Sequence, residues 1–317
     1  MNVIQFVSSN KSEILSYLNC NLPNVEDSFM LIFGHKELLS DPEINETLKS
    51  NFISVPIVGC STAGEIVGEE VKDNSFILTR VQLSKTRVKK ISIQVDKTED
   101  SFNVGQNIVN GLMANDLKHV LVFSDGSIIS GSRLVEGINT AVNHKISVSG
   151  GLAADGTEFK DTLVCSEDNI FKANVVSAIG FYGHDIKFKC SSFGGWNSFG
   201  LERVITKSKE NVVYEIDGKP ALELYKSYLG NKANELPASA LLFPISMKES
   251  ETHEPLVRTI LGINEEENSL RFAGNIPEGA KVKLMRASNN SLLNGAEIAA
   301  QMSRFDEMDH AKDGLII

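Results

Sequence analysis

Apolar runs separated by turn residues divide the chain into elements. "FMLIFG" (29–34) is apolar throughout, the pattern of a strand buried on both faces. "DPEINETLKSN" (41–51) follows as a helix, with Asp41 at the cap and Pro42 at the first helical position. "VPIVGC" (55–60) is a second strand. "SFILTRVQL" (75–83) and "VKKISIQV" (88–95) read as two strands around an "SKT" turn, alternating as a sheet with one covered face does. "DSFNVGQNIVNGLMAN" (100–115) is again a helix.

The same plan then recurs. "HVLVFSDG" (119–126) is a strand, "SGSRLVEGINTAVNH" (130–144) a helix, "ISVSGGLAADG" (146–156) a strand entering a small-residue turn, and "NVVSAIGFYGHDIKFKCSSF" (174–193) a pair of strands. The repeat extends to residues: "LIFG" (31–34) matches "LVFS" (121–124), and "VGCSTAG" (58–64) matches "SGGLAAD" (149–155). The unit is strand-helix-strand-strand-strand, over 28–96 and 118–193, and the second copy carries an extra hairpin, "EFKDTLVCSED" (158–168). Duplicated sheet units bury their apolar faces on each other. The two small-residue turns are therefore expected to face one another across a pseudo-twofold axis, around a cleft.

Beyond "WNSFG" (196–200) the elements become shorter. A hairpin spans 202–218 with "KEN" at its tip, a helix 219–230, a strand "ALLFPI" (240–245), a hairpin with an acidic tip 255–274, a strand 280–287 and a last helix from Leu292 to Phe305. The fold class expected is α/β in the α+β sense. It has two mixed-sheet parts, the first an internal duplication and the second smaller. The expected division is an N-terminal extension (1–27), an N-terminal domain (28–218) and a C-terminal domain (219–317).

Composition narrows the function. The 317 residues are 42% hydrophobic, enough for a sizeable core, and the net charge of -10 argues against a nucleic-acid partner, which needs clustered Lys and Arg. "KTRVKK" (85–90) is the densest basic run and fits one hairpin. No leader-like N-terminus and no 18-residue apolar run is present, so a cytoplasmic protein with no membrane partner is expected. Cys20, Cys60, Cys165 and Cys190 form no C-x-x-C pair and read as free thiols.

Candidate chemistry is sparse. Gly59 and Gly64 have phosphate-loop spacing, but Glu65 stands where the lysine belongs. Cys60 is a nucleophile only with a lowered pKa, for which His35 is the nearest source by strand order. The matching position of the second copy is Gly151, so Cys60 reads as a small residue lining the turn. His35, His119, His144, His184, His253 and His310 show no metal spacing, a test blind to a single haem ligand. Carboxylates form no acid and base couple. Arg203, Arg258 and Arg286 lie in or beside apolar strands, where a guanidinium binds a carboxylate at two points.

"IVGCSTAGEI", "FSDGSIISG", "SVSGGLAADG", "GGWNSFGLERVITKSKENVVYEIDGKPALELY" and "LVRTILGINEEENSLRFAGNIPEGAKVKLMRA" occur in the order found in the FIST domain, which the chain resembles from about Ser28 to its end. The resemblance implies a small-ligand-binding sensory module of bacterial signal transduction, with no enzymatic chemistry. Stand-alone members, similar to nitric oxide sensing proteins, bind haem and modulate a histidine kinase. A diguanylate cyclase or a chemoreceptor is a partner of the same kind. Haem is thus the implied cofactor, amino acids or other small metabolites are the alternative ligands, and a cysteine-dependent enzyme using Cys60 is the alternative class. Family C-terminal parts usually extend beyond "AKDGLII", so the C-terminal domain is expected to be incomplete. Repeat and resemblance together select Gly59, Cys60, Ser61, Thr62, Gly150, Gly151 and Arg258 as ligand-binding residues.

Overall fold

The computed structural model describes residues 1–21, 28–96, 100–143, 145–156, 158, 160–248 and 256–305. It is a mixed α+β structure whose compact units divide between Phe188 and Lys189.

The first unit holds, in chain order, β1 (Asn2–Ser8), α1 (Lys11–Cys20), β2 (Ser28–Gly34), α2 (Lys36–Leu39), α3 (Pro42–Asn51), β3 (Ile57–Ser61), β4 (Glu65–Val67), β5 (Glu70–Lys72), β6 (Phe76–Gln82), β7 (Arg87–Gln94), α4 (Ser101–Asn110), β8 (Leu117–Ser124), α5 (Gly131–Val142), β9 (Ser147–Leu152), β10 (Val164–Cys165), β11 (Phe171–Lys172) and β12 (Val175–Tyr182). Asp41 caps α3 as its sequence requires, its carboxylate accepting from the N–H groups of Glu43 and Ile44. Two sheets form, ordered β1-β6-β2-β3-β10-β11 and β7-β12-β8-β9.

The central strands β2, β3, β8 and β12 are buried on both faces, which is why β2 and β8 read as unbroken apolar runs. Phe29, Leu31, Val58 and Cys60 of the first sheet meet Leu121, Phe123, Ile179 and Phe181 of the second. On the outer faces, Ile14 of α1 and Ile44 and Leu48 of α3 cover Met30 and Ile32, while Val104 and Ile108 of α4 and Leu134 and Ile138 of α5 cover Val120 and Val122. The unit is a helix–sheet–sheet–helix sandwich.

The duplication is larger than the sequence suggests. The orders β1-β6-β2-β3 and β7-β12-β8-β9 coincide, so β1 and α1 open the first copy and β7 opens the second. The repeat therefore starts inside the expected extension 1–27, and β7 leaves the first copy. β6 and β7 are consecutive but unpaired: β6 pairs with β1 and β2, and β7 with β12. The "SKT" turn is the crossing from one sheet to the other, where adjacency in sequence favoured a hairpin. Past "YGHD", among the described residues, no strand follows in the first unit. The extra hairpin forms as β10–β11, later than 158–168, and β10 joins the first sheet beside β3.

The second unit contains β13 (Asn197–Lys209), β14 (Val212–Ile216), β15 (Lys219–Pro220), α6 (Ala221–Leu229), β16 (Ile245–Lys248), β17 (Leu256–Arg258), β18 (Ile260–Asn264), β19 (Ser269–Phe272), β20 (Lys281–Arg286) and α7 (Asn289–Met302). Its strand order is β17-β16-β20-β13-β14-β19-β18. Only Thr259 separates β17 from β18, so the two ends of this order are halves of one extended segment and the sheet closes on itself. β13 likewise pairs with β20 through its first half and with β14 through its second. Ala221, Leu222, Tyr225 and Leu229 of α6 pack with Ile205, Val213, Leu270 and Phe272 in the core. This unit begins before the expected boundary at 218/219, because β13 and β14 pair with strands that follow it. The stretch "AKDGLII" lies outside the described residues, as do His144, His253 and His310.

Candidate functional site

Two places combine small residues or polar groups with strand ends. The first is the carboxyl end of the parallel pairs β2–β3 and β8–β9, where open α/β sheets bind ligands. Its two turns do meet: the Ala154 N–H donates to the Ser61 carbonyl at 2.9 Å. The space between them is filled by the chain itself. Ser61 N donates to Leu163 O at 2.8 Å, Leu163 N donates to the fully buried Ser61 Oγ at 3.0 Å, and Thr162 Oγ1 accepts from Gly126 N at 3.1 Å.

Each selected residue of these turns except Gly151 has a structural partner. Gly59 and Gly150 are equivalent, with φ of +150 and +152, and a Cβ at either would lie 1.8 Å from Ile32 O or 1.9 Å from Val122 O. Both are glycine because the neighbouring parallel strand approaches too closely for a side chain. Cys60 lies in the apolar layer between the sheets, and burial pushes its thiol up to about 12. Burial thus works against the thiolate that a cysteine nucleophile needs. Thr62 Oγ1 donates to Glu65 Oε1 at 2.7 Å, and Glu65 Oε2 accepts from Ser75 N and Oγ at 3.1 and 2.8 Å. Glu65 is thus a buried clamp on the turn, which the phosphate-loop comparison left unexplained. Gly151 is exposed on β9, with no atom within 4 Å of a Cβ built there. Arg258 belongs to the second unit, on β17 opposite Ile245 of β16.

The second place is a small apolar pocket in the second unit, open at its mouth, with a cavity volume of ≈ 30 Å³. Its walls include Phe199, Leu224, Tyr225, Leu270 and Leu284, and among the described residues its one charged wall residue is Arg203. A bulge makes the opening. Between Phe199 and Arg203 of β13 the partner strand β20 advances only from Leu284 to Val282, and Gly200 takes φ +76 to absorb the excess. Arg203 Nε and Nη2 donate to Tyr228 Oη at 3.0 and 2.8 Å, and Nη1 to Asp217 Oδ2 at 2.8 Å. The Val204 N–H and the Arg203 guanidinium hold the Asp217 carboxyl below its ordinary value. Asp217 and Gly218 have φ of 51 and 71, the left-handed pair of a two-residue hairpin turn between β14 and β15. Tyr225 donates its hydroxyl to Phe243 O at 2.8 Å.

Residues 28–219 match the family model of the FIST N domain, and residues 221–317 that of the FIST C domain. The chain belongs to the FIST family. FIST domains are sensory domains of signal transduction that bind small ligands. The family boundary at 219/221 falls after β14, whereas the compact units part at Phe188/Lys189. The chain is also similar to an uncharacterized protein of Methanocaldococcus jannaschii, 24% identical over 293 residues, 83% of this chain and 55% of that protein. It spans about half the length of that relative.

Among the described residues, three side chains able to serve as an axial ligand for the implied haem are buried or already engaged. His119 Nδ1 and Nε2 are 2.7 and 2.9 Å from the hydroxyls of Ser147 and Ser149, and burial pulls its pKa down to about 4. Burial also raises the Cys165 thiol, to about 11. Tyr228 is the nearest approach to an axial ligand in an apolar pocket, and Arg203 already engages its oxygen twice. Among the described residues no group of three His, Cys, Asp or Glu is placed to hold a metal ion, and no helix is long and apolar enough to cross a membrane.

Sequence reasoning named Arg203 beside Arg258 and Arg286 but selected Arg258. The signal favouring Arg203 is the "FGLER" run (199–203), where a glycine three residues ahead of an arginine interrupts strand alternation and marks a bulge.

Proposed function

We propose that this FIST chain senses a small amphipathic ligand, seated in the Arg203 pocket, and reports occupancy to a signalling partner of the histidine kinase, cyclase or chemoreceptor kind. The ligand class with most support is an apolar amino acid. One observation carries this reading: an apolar pocket walled in part by Arg203, whose guanidinium pairs with Asp217 at 2.8 Å. A ligand carboxylate takes two N–H groups of Arg203, its ammonium pairs with Asp217, and its side chain fills the space between Phe199, Leu224 and Leu270.

A thermal-shift screen of amino acids followed by calorimetry tests it. Apolar amino acids stabilise the wild-type chain, and Arg203→Ala and Leu224→Trp each abolish the shift while circular dichroism is unchanged. No shift with any apolar amino acid, or a shift that survives Leu224→Trp, defeats the proposal. Haem and nitric oxide sensing rests on the family resemblance alone. A stoichiometric Soret band that moves with nitric oxide would restore that reading. The protonated Cys60 thiol gives no support to a cysteine-dependent enzyme.

A further inference from the structure

The two copies of the duplicated unit differ at one edge. β3 is no edge strand, because β10 lies on its outer side with Val164 opposite Cys60. The equivalent strand β9 is an edge, and among the described residues no hydrogen bond reaches its outer side. The hairpin that follows β3, β4–β5, is the counterpart of β10–β11, yet it pairs only with itself. Its cross-strand pair Ile66 and Val71 is 73% and 74% exposed. Tether length explains the difference. Residues 153–163 separate β9 from β10, whereas only 62–64 separate β3 from β4, and the Thr62–Glu65 hydrogen bond fastens that short link.

We propose that β4–β5 of one copy adds to the β9 edge of a second copy and receives the same in return, giving a homodimer closed by a twofold axis. The β10–β3 pairing is the template, with an added strand antiparallel to the edge. With Ile66 in the place of Val164, the template sets it opposite Gly151, where no atom lies within 4 Å of a Cβ built on the glycine. The hairpin then runs toward the start of β9 and brings its exposed tip residues Glu69 and Glu70 to the exposed Lys118 and Lys145. Backbone hydrogen bonds and this charge match hold the strand, and reciprocity closes the contact instead of propagating it.

The test uses the full chain. Light scattering after gel filtration gives twice 34.6 kDa for wild type and 34.6 kDa for Ile66→Asp/Val71→Asp, whose exposed side chains leave folding intact by circular dichroism. Lys145→Glu weakens the dimer and Glu69→Lys/Glu70→Lys in the same chain restores it. With Cys20→Ser and Cys190→Ser in place, Ile66→Cys together with Gly151→Cys yields a disulfide-linked dimer, and either cysteine alone does not. A wild-type monomer at the highest soluble concentration overturns the proposal, as does a dimer that Ile66→Asp/Val71→Asp leaves intact. A monomer whose hairpin variant instead loses a signalling partner removes the second copy as occupant.

Discussion

His119 stands in different surroundings from its counterpart in the other copy. The equivalent position holds Phe29, packed edge-on against Phe181, whereas His119 stacks on Phe188 with ring centroids 4.2 Å apart and meets two serine hydroxyls. Burial lowers its pKa from 6.5 to about 4, so the folded state holds it neutral where the unfolded chain protonates it. Stability from this group is complete above pH 6.5 and is lost as pH falls through the window down to about 4, by up to roughly 3 kcal/mol. His119→Phe, which copies Phe29, is expected to flatten the decline in urea midpoint between pH 7 and 4.5. An unchanged decline would place the acid sensitivity elsewhere.

At the scale of elements, close approach of backbones decides where glycine stands. In α4 and α5 a Cβ at Gly105 would lie 2.3 Å from Leu134 O, and one at Gly137 2.0 Å from Phe102 O, so each helix supplies the gap its neighbour needs. Gly59 and Gly150 do the same for parallel strands, but β3 is held between β2 and β10 while β9 has a free side. Gly59→Ala is therefore expected to destabilise by about 3 kcal/mol, and Gly150→Ala by clearly less because its strand moves outward. Chemical denaturation of the two variants decides this, and equal losses would mean that edge freedom is not used. The repeat was legible at this scale in "VGCSTAG" and "SGGLAAD", since both glycines answer the same steric demand. β1 was not legible as part of it, because an exposed edge strand such as "NVIQFVS" carries no strong apolar run.

For the whole molecule, a ligand that binds only the folded chain stabilises it by mass action, about 2.7 kcal/mol at a hundredfold excess over Kd. Hydrogen exchange should then show added protection first at the β13 bulge, Phe199 to Arg203, and along α6. Protection confined to the strand ends around Ser61 and Ala154 would return the ligand to the first unit.

The sequence by itself determined most strands and helices from Ser28 onward, the centre of the duplication and the arginine-bearing strands, and its motifs carried the family resemblance. The elements follow from local periodicity and capping, which neighbouring residues write together. It left three things to the tertiary structure: the separation of β6 from β7, the crossing of β10 onto β3, and the placing of Arg203, not Arg258, in the wall of the apolar pocket. Each depends on which distant strands pair. A strand buried on both faces has the same apolar pattern in either sheet, so pairing was decided by chain length between elements and by the closing of the second sheet on itself.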